Sequence, residues 1–169
     1  ANQAAVALEG IQDALTGTYS RRYLDQGLER YLLDGGRRDI PVSLVLLDID
    51  FFKVINDLHG HAFGDLVLRE VANGLRRVLR STDVIIRYGG DEFLLVLPEV
   101  NRERAQITLS KAMDSVASLS LETSDGRIVR LTLSGGIAVF PEDGDRFDLL
   151  LMKTDEELRT AKRTRFERV

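Results

Sequence analysis

Two apolar runs, broken at their centre by two glycines and two acids, restrict the fold of this chain more than any other feature. The stretch is "DVIIRYGGDEFLLVLPEV", Asp83 to Val100. Val84, Ile85 and Ile86 lead in, and Phe93, Leu94, Leu95, Val96 and Leu97 lead out. Both runs are rich in β-branched or large apolar residues and read as buried strands. Gly89 and Gly90 between them read as the tight turn of a hairpin, because glycine accepts positive φ without a Cβ penalty. Asp91 and Glu92 then stand where a turn enters a buried strand. Two like charges there are costly unless positive charge is held beside them.

A second strand is as plain. "VSLVLLDID", Val42 to Asp50, is nearly continuous apolar chain, the pattern of a strand covered on both faces, and it ends in Asp48 and Asp50. Neighbouring strands lie about 4.8 Å apart, so if these two are neighbours, Asp48 and Asp91 can share one cation. Mg²⁺ takes oxygen ligands at about 2.0–2.1 Å, keeps waters and is usually completed by substrate phosphates. The donors on offer suit it, since cysteine is absent and only two histidines occur. A single Asp would more simply cap a helix or pair with Arg87 or Lys53. Four acids at buried strand ends favour a metal.

Directly after Asp48 comes "IDFFKVINDLHGHAFGD". Phe51 to Leu58 is expected to turn into a short helix whose free N–H groups face the metal site, an arrangement that binds phosphate. Lys53 adds a mobile positive charge. Asn56 and Asp65 together match the edge of guanine, the amide donating and accepting, the carboxylate accepting from N1–H and the exocyclic amine. On spacing alone, a turn Asn and an N-cap Asp are the simpler reading of these two.

The remaining chain supplies helices and one more strand region. Ser20 is placed to cap a helix with an apolar face of Tyr23, Leu24, Leu28, Tyr31 and Leu32, stopped by Gly35-Gly36. Helical spacing returns from Leu66 through Val67, Val71, Leu75, Val78 and Leu79, again over 102–118, and over about 146–164. Ile128 to Phe140 reads as one or two strands, with Ser134-Gly135-Gly136 as a kink or bulge. The order predicts an α/β fold, helices packed on a mixed sheet. No repeat or linker divides the chain, so residues 13–169 are expected to be one domain, with 1–12 a helical lead-in. A net charge of −4 excludes a broad basic surface for nucleic acid or anionic lipid. The lack of cysteine excludes disulfides, thiolate metal sites and a cysteine nucleophile, and suits a reducing cytoplasm. No apolar run reaches transmembrane length. A first residue other than Met is expected of a piece cut from a longer protein.

"RYGGDEF", "LLDIDFFKVIND" and "GHAFGD", in this order and separation, resemble the GGDEF family of diguanylate cyclases. "DALTGTYSRRYL", Asp13 to Leu24, is similar to the family's entry motif, and "TLSGGIAVF" to its late strand. The resemblance covers roughly Asp13 to Lys162. It implies a palm-like mixed sheet flanked by helices, related to nucleotidyl cyclases, with the Gly-Gly-Asp-Glu turn on a β-hairpin. The implied reaction joins two GTP molecules into cyclic dimeric GMP (c-di-GMP) with release of two pyrophosphates. Each of two facing domains holds one GTP, so a homodimer is implied. The implied metal is Mg²⁺, with Mn²⁺ as a substitute.

Carried onto this chain, the resemblance makes Asp48 and Asp91 metal ligands, assisted by the Ile49 carbonyl, with Glu92 helping the metal or the attacking hydroxyl. Phe51, Phe52 and Lys53 match the phosphate-binding turn, and Lys53 is grouped with Asp91 and Glu92 as catalytic. Asn56 and Asp65 match the guanine readers, Gly89 and Gly90 let backbone approach the nucleotide, and Lys162 reaches phosphate. "RSTD", Arg80 to Asp83, stands where the family has its inhibitory c-di-GMP site, with Lys111 the candidate third member. His59 and His61 are expected to be structural. An upstream sensor domain is implied, the catalytic part being cytoplasmic even if the whole protein is membrane-anchored upstream.

The family usually ends near "AKxxGRN". Here Ala161-Lys162 is kept, but Arg165, Phe166 and Glu167 stand where Gly-Arg-Asn is expected. Thr18 and Ser20 likewise replace the common Leu and Asn of the entry motif. Phe166 removes an Arg that would join Lys162 on phosphate, with Arg163 or Arg165 as stand-ins. An active, slow cyclase is expected. The alternative is an inactive domain acting as a receptor for GTP or c-di-GMP.

Overall fold

The computed structural model describes residues 10–27 and 40–166. Its elements run β1 (Tyr19–Ser20), α1 (Arg21–Gly27), β2 (Val42–Ile49), α2 (Phe52–His59), α3 (His61–Val78), β3 (Val84–Arg87), β4 (Glu92–Pro98), α4 (Arg102–Ala117), β5 (Leu121–Glu122), β6 (Ile128–Val129), β7 (Leu133–Phe140) and α5 (Phe147–Phe166). Five strands form one sheet in the order β1-β3-β4-β2-β7, while β5 and β6 make a separate small hairpin. β2 is antiparallel to both β4 and β7, and only β1 runs parallel to its neighbour, β3. The expected palm-like mixed sheet flanked by helices is what forms.

Period-2 alternation decides where everything packs. Along β2, Val45, Leu47 and Ile49 point to one face with Phe93, Leu95 and Leu97 of β4, where α3 and α4 cover them through Val67, Val71, Leu75, Leu109 and Val116. Leu44 and Leu46 point to the other face with Leu94 and Val96, where Leu24 of α1 and Leu150 and Leu158 of α5 cover them. Burial on both faces explains the continuous apolar reading of β2 and β4. The same alternation places Asp48 and Glu92 together on the α5 face, at the end of the sheet.

Several expectations are corrected. Ser20 does not cap α1: it lies in β1, and its hydroxyl donates to the Gly10 carbonyl at 2.5 Å. Leu28, Tyr31, Leu32, Gly35 and Gly36 fall outside the described residues. Of the helical lead-in, residues 10–12 form a turn and a bridge from Gln12 to Tyr19 instead. α3 starts at His61, ahead of the apolar pattern, because His61, Ala62 and Asp65 face water and Phe63 and Gly64 between them make no periodic signal on their own. Ser134-Gly135-Gly136 make no bulge: β7 stays in unbroken register with β2 from Leu133 to Phe140. Those glycines answer to packing. A Cβ at Gly135 would stand 2.5 Å from Leu109, and one at Gly136 would stand 2.1 Å from the Thr154 carbonyl of α5.

Candidate active site

The β3–β4 hairpin forms as expected, but its glycines are needed for a different reason. Neither Gly89 nor Gly90 is among the residues at positive φ. The Tyr88 and Gly89 N–H groups both donate to the Glu92 carbonyl, at 2.9 and 3.2 Å, closing the turn. A Cβ at Gly89 would lie 2.5 Å from Glu92 Oε2, so the bare backbone lets that carboxylate fold over the turn. Around Gly90 a Cβ would meet nothing within 4 Å, which leaves an open approach for a ligand.

β2 and β4 bring the acids together. Asp48 pairs in register with Glu92 on one side and with Ser134 on the other, and the Ile49 N–H donates to the Asp91 carbonyl at 3.2 Å. Like charges directly opposite across a ladder are destabilising. Burial, chiefly, and then the neighbouring Asp91 and Asp50 charges hold the Asp48 carboxyl above its ordinary range, against the pull of Lys162. Burial likewise pushes Glu92 up, helped by Asp48 and Asp91. The Lys162 ammonium sits 2.7 Å from Asp48 Oδ2.

Asp50 does not belong to this cluster. Its carboxylate accepts from Thr132 Oγ1 and Ser134 Oγ and pairs with Arg165 Nη1 at 2.9 Å, fully enclosed. Neither Arg87 nor Lys53 neutralises the acids. Arg87 pairs with Asp13 at 3.1 Å and donates to the Gly90 carbonyl, bracing the hairpin tip against the entry segment. Asp13 is itself held by the Thr16 N–H and hydroxyl.

Among the described residues, no group of three His, Asp or Glu side chains stands ready to hold an ion alone. The site still fits a divalent cation in its chemistry. Its donors are oxygens, its Asp48 and Glu92 carboxyls are pushed toward protonation by burial first and then by neighbouring acids, and one ammonium does not offset this. Phosphate oxygens would complete such a shell.

The turn expected to bind phosphate follows at once. Phe51 takes a left-handed conformation, φ 58°, and no side chain caps the start of α2, and helix starts of this kind can receive an anion. Phe52 is half-buried against the core, and Lys53 is exposed on the first turn. Gly60, at φ 86°, turns the chain sharply from α2 into α3. That corner brings Asn56 against Gly64: a Cβ there would lie 1.8 Å from Asn56 Oδ1. Asn56 Oδ1 is buried without a hydrogen-bond partner. Such an orphan is costly, and a ligand donor would relieve it. Asp65, next to Gly64 and exposed, is the fifth residue of α3 and not its N-cap, which is Gly60. His59 tilts against Phe63 with ring centroids 5.2 Å apart.

The Arg80–Asp83 pair, expected to form a second site, lies just before the start of β3, at the end away from the Gly89-Gly90 turn. Arg80 grips Asp83 through Nη2 at 2.6 Å and Nε at 3.1 Å, and also reaches the Pro98 carbonyl. Beside them opens a cavity of about 310 Å³ whose walls include Gln12, Thr18, Arg76 and Ser81. Lys111, on an exposed position of α4, does not line it.

The geometry is matched by kinship. Residues 11–168 match the family described as "Diguanylate cyclase, GGDEF domain". The chain belongs to the GGDEF domain family. It is 36% identical over 157 residues to diguanylate cyclase DosC of Escherichia coli K12, covering 93% of this chain and 34% of that protein. The chain thus spans about a third of the length of the curated relatives it matches. Its fold superposes on Pseudomonas aeruginosa diguanylate cyclase SiaD, solved in complex with its activator SiaC, with a TM-score of 0.87 and 34% identity, covering 95% of this chain and 62% of that one. The GGDEF domain of DgcB from Caulobacter crescentus, solved in complex with c-di-GMP, gives a TM-score of 0.84 at 30% identity, covering 91% of both chains. No described helix is long and apolar enough to cross a membrane.

Sequence reasoning missed Asp13 and Thr132 as supports of the site, and it read Arg87 as a partner of the clustered acids and Arg165 as a stand-in on phosphate, where the structure pairs them with Asp13 and Asp50. Nothing in the local pattern joins Asp13 to Arg87, positions 74 residues apart.

Proposed function

We propose that this domain is a diguanylate cyclase, condensing two GTP molecules into c-di-GMP across a pair of facing copies. The observation that carries this reading is the forced juxtaposition of Asp48 and Glu92, beside Asp91 and the uncapped start of α2. A fold keeps a destabilising like-charge pair where a ligand repays it.

In this reading Asp48, Asp91 and the Ile49 carbonyl hold Mg²⁺, which supplies charge stabilisation on the transferring phosphate and acidifies a bound hydroxyl. Glu92 lies over the turn, directed at the incoming 3′-hydroxyl or its metal. The N–H groups of Phe51, Phe52 and Lys53, with the Lys53 and Lys162 ammonium groups, bind the triphosphate. Asn56 offers its orphaned oxygen to guanine, and Asp65 accepts from N1–H and the amine. Gly89 and Gly90 keep the floor of the site free of side chains. Each 3′-hydroxyl attacks the α-phosphate held by the opposite copy, and pyrophosphate leaves. Chemistry of this kind depends on alignment and electrostatics.

We further propose that Arg80 and Asp83 bind the c-di-GMP product, phosphate on the guanidinium and guanine on the carboxylate, and so inhibit turnover. Lys111, from α4, is the proposed third member. The domain is expected to work in the cytoplasm under the control of a sensor domain.

Incubation with GTP and Mg²⁺, assayed for c-di-GMP, tests the reading. Asp91→Ala should cut turnover by about a thousandfold or more. If a demonstrably dimerised protein forms no product while still binding GTP or c-di-GMP, the domain is a receptor and not an enzyme.

A further inference from the structure

Near its C-terminal end α5 carries two cations, Lys162 and Arg165, on one side. Lys162 and Arg165 are three residues apart, which puts them on one helix face about 4.5 Å apart along the axis. Opposite them, Asp48 and Asp50 are two residues apart at the end of β2, about 6.6 Å along an extended chain. Each cation meets one acid: Lys162 meets Asp48 at 2.7 Å and Arg165 meets Asp50 at 2.9 Å. The two pairs form adjacent rungs between helix and strand.

The rungs are not equivalent. The Asp48 rung faces the site and is one that phosphate and metal would remake. The Asp50 rung is closed. Arg165 Nη1 also donates to the Leu133 carbonyl at 3.0 Å, so it ties α5 to β7 as well as to β2. Asp50 is saturated by Thr132 Oγ1 at 2.6 Å and Ser134 Oγ at 2.7 Å, with its own N–H on the Thr132 carbonyl. An enclosed carboxylate with these partners holds its guanidinium firmly. Arg163, the other residue expected as a stand-in on phosphate, is instead exposed and turned to Thr160 Oγ1 at 3.5 Å.

We propose that Arg165 is a positioning residue: by pinning the end of α5 to Asp50 and the Leu133 carbonyl, it sets the Lys162 ammonium over Asp48 and the phosphate side of the site. Arg165 therefore takes no phosphate itself. Its role is to hold at a fixed distance a lysine that would otherwise sweep with a fraying helix end. Without the Asp50 rung, Lys162 loses its register on Asp48. The proposal rests on the cyclase reading for the identity of the phosphate but not for the pinning.

The test compares wild type, Arg165→Met, Arg165→Lys, Lys162→Met, the Lys162→Met/Arg165→Met pair, and Arg163→Met as control. Calorimetry with the α,β-methylene analogue of GTP in Mg²⁺ reads phosphate binding, and amide exchange over 161–166 reads the helix end. Arg165→Met should weaken binding about tenfold, as loss of a charged hydrogen-bonded contact does, and should quicken exchange. Arg163→Met should do neither. In the Lys162→Met background, Arg165→Met should change affinity by less than about twofold, since it acts through that lysine. Arg165→Lys, charged but too short for both acceptors, should recover part of both readouts, and it carries the comparison if Arg165→Met melts too low. An equal loss of affinity with and without Lys162 overturns the proposal, as does unchanged exchange in Arg165→Met. If wild type fails to bind the analogue, the cyclase reading falls, and exchange alone then upholds or overturns the pinning.

Discussion

At the scale of single residues, the site is made of groups that the fold holds against their own preference. Asp48 and Glu92 ionise less readily in the folded chain than at their ordinary values of 3.8 and 4.5, from burial first and then from neighbouring acids. Between those values and the raised ones, the native state binds more protons than the unfolded state. Stability therefore falls as pH rises through that window and stays reduced above it. Asp48→Asn should raise the melting temperature of the metal-free protein at neutral pH and flatten that acid-side slope. Melts across about pH 4 to about pH 7 check this, and Mg²⁺, proposed to bind at Asp48, should stabilise wild type but not this variant. Asn56 is held just as firmly, its oxygen buried and unpartnered against Gly64. Gly64→Ala puts a methyl 1.8 Å from that oxygen. It should cost about 1–3 kcal/mol and reduce the preference for GTP over ATP, read by denaturation and by competitive binding.

At the scale of elements, the decisive contact is α5 on β7 and β2. Gly136 lets the helix backbone approach the strand so closely that a methyl would meet Thr154 O at 2.1 Å and Leu158 N at 2.5 Å. Backbone cannot move aside as a side-chain tip can. Gly136→Ala should lower the denaturation midpoint by the equivalent of about 3 kcal/mol or more and displace Lys162 from Asp48. β7 is also the sheet edge, and its outward N–H groups at Ile137 and Val139 are taken by the carboxylates of Glu157 and Asp143. Arg102 ties Asp143, Glu142 and Glu157 into one network. Charged side chains on an exposed edge discourage pairing with another strand.

At the scale of the whole molecule, the proposed chemistry needs two copies, because each holds one GTP. Specific activity should rise with protein concentration until dimers are complete, a mass-action signature seen in initial rates. The Arg80–Asp83 pair lies at the other end of β3, joined to the active-site hairpin through that one strand. Arg80→Ala should leave initial rates near wild type and raise the c-di-GMP concentration needed for half-inhibition about tenfold or more. Unchanged inhibition would make the pair a structural brace.

The local pattern alone determined the two buried strands, the hairpin between Ile86 and Phe93, and the run of acids at strand ends. Period-2 and period-3.6 spacing are written in neighbouring residues, and oxygen-only donors follow from composition. The pairings were decided only by packing. Lys162, and not Lys53 or Arg87, meets Asp48, while Arg165 closes on Asp50 across the length of the domain. Arg87 turns instead to Asp13, and of the glycines of β7, Gly136 answers to a helix that follows it in the chain and Gly135 to one that precedes it. Which charge meets which depends on how two faces of one sheet are covered, and that is set by the summed fit of distant side chains, which no local spacing records.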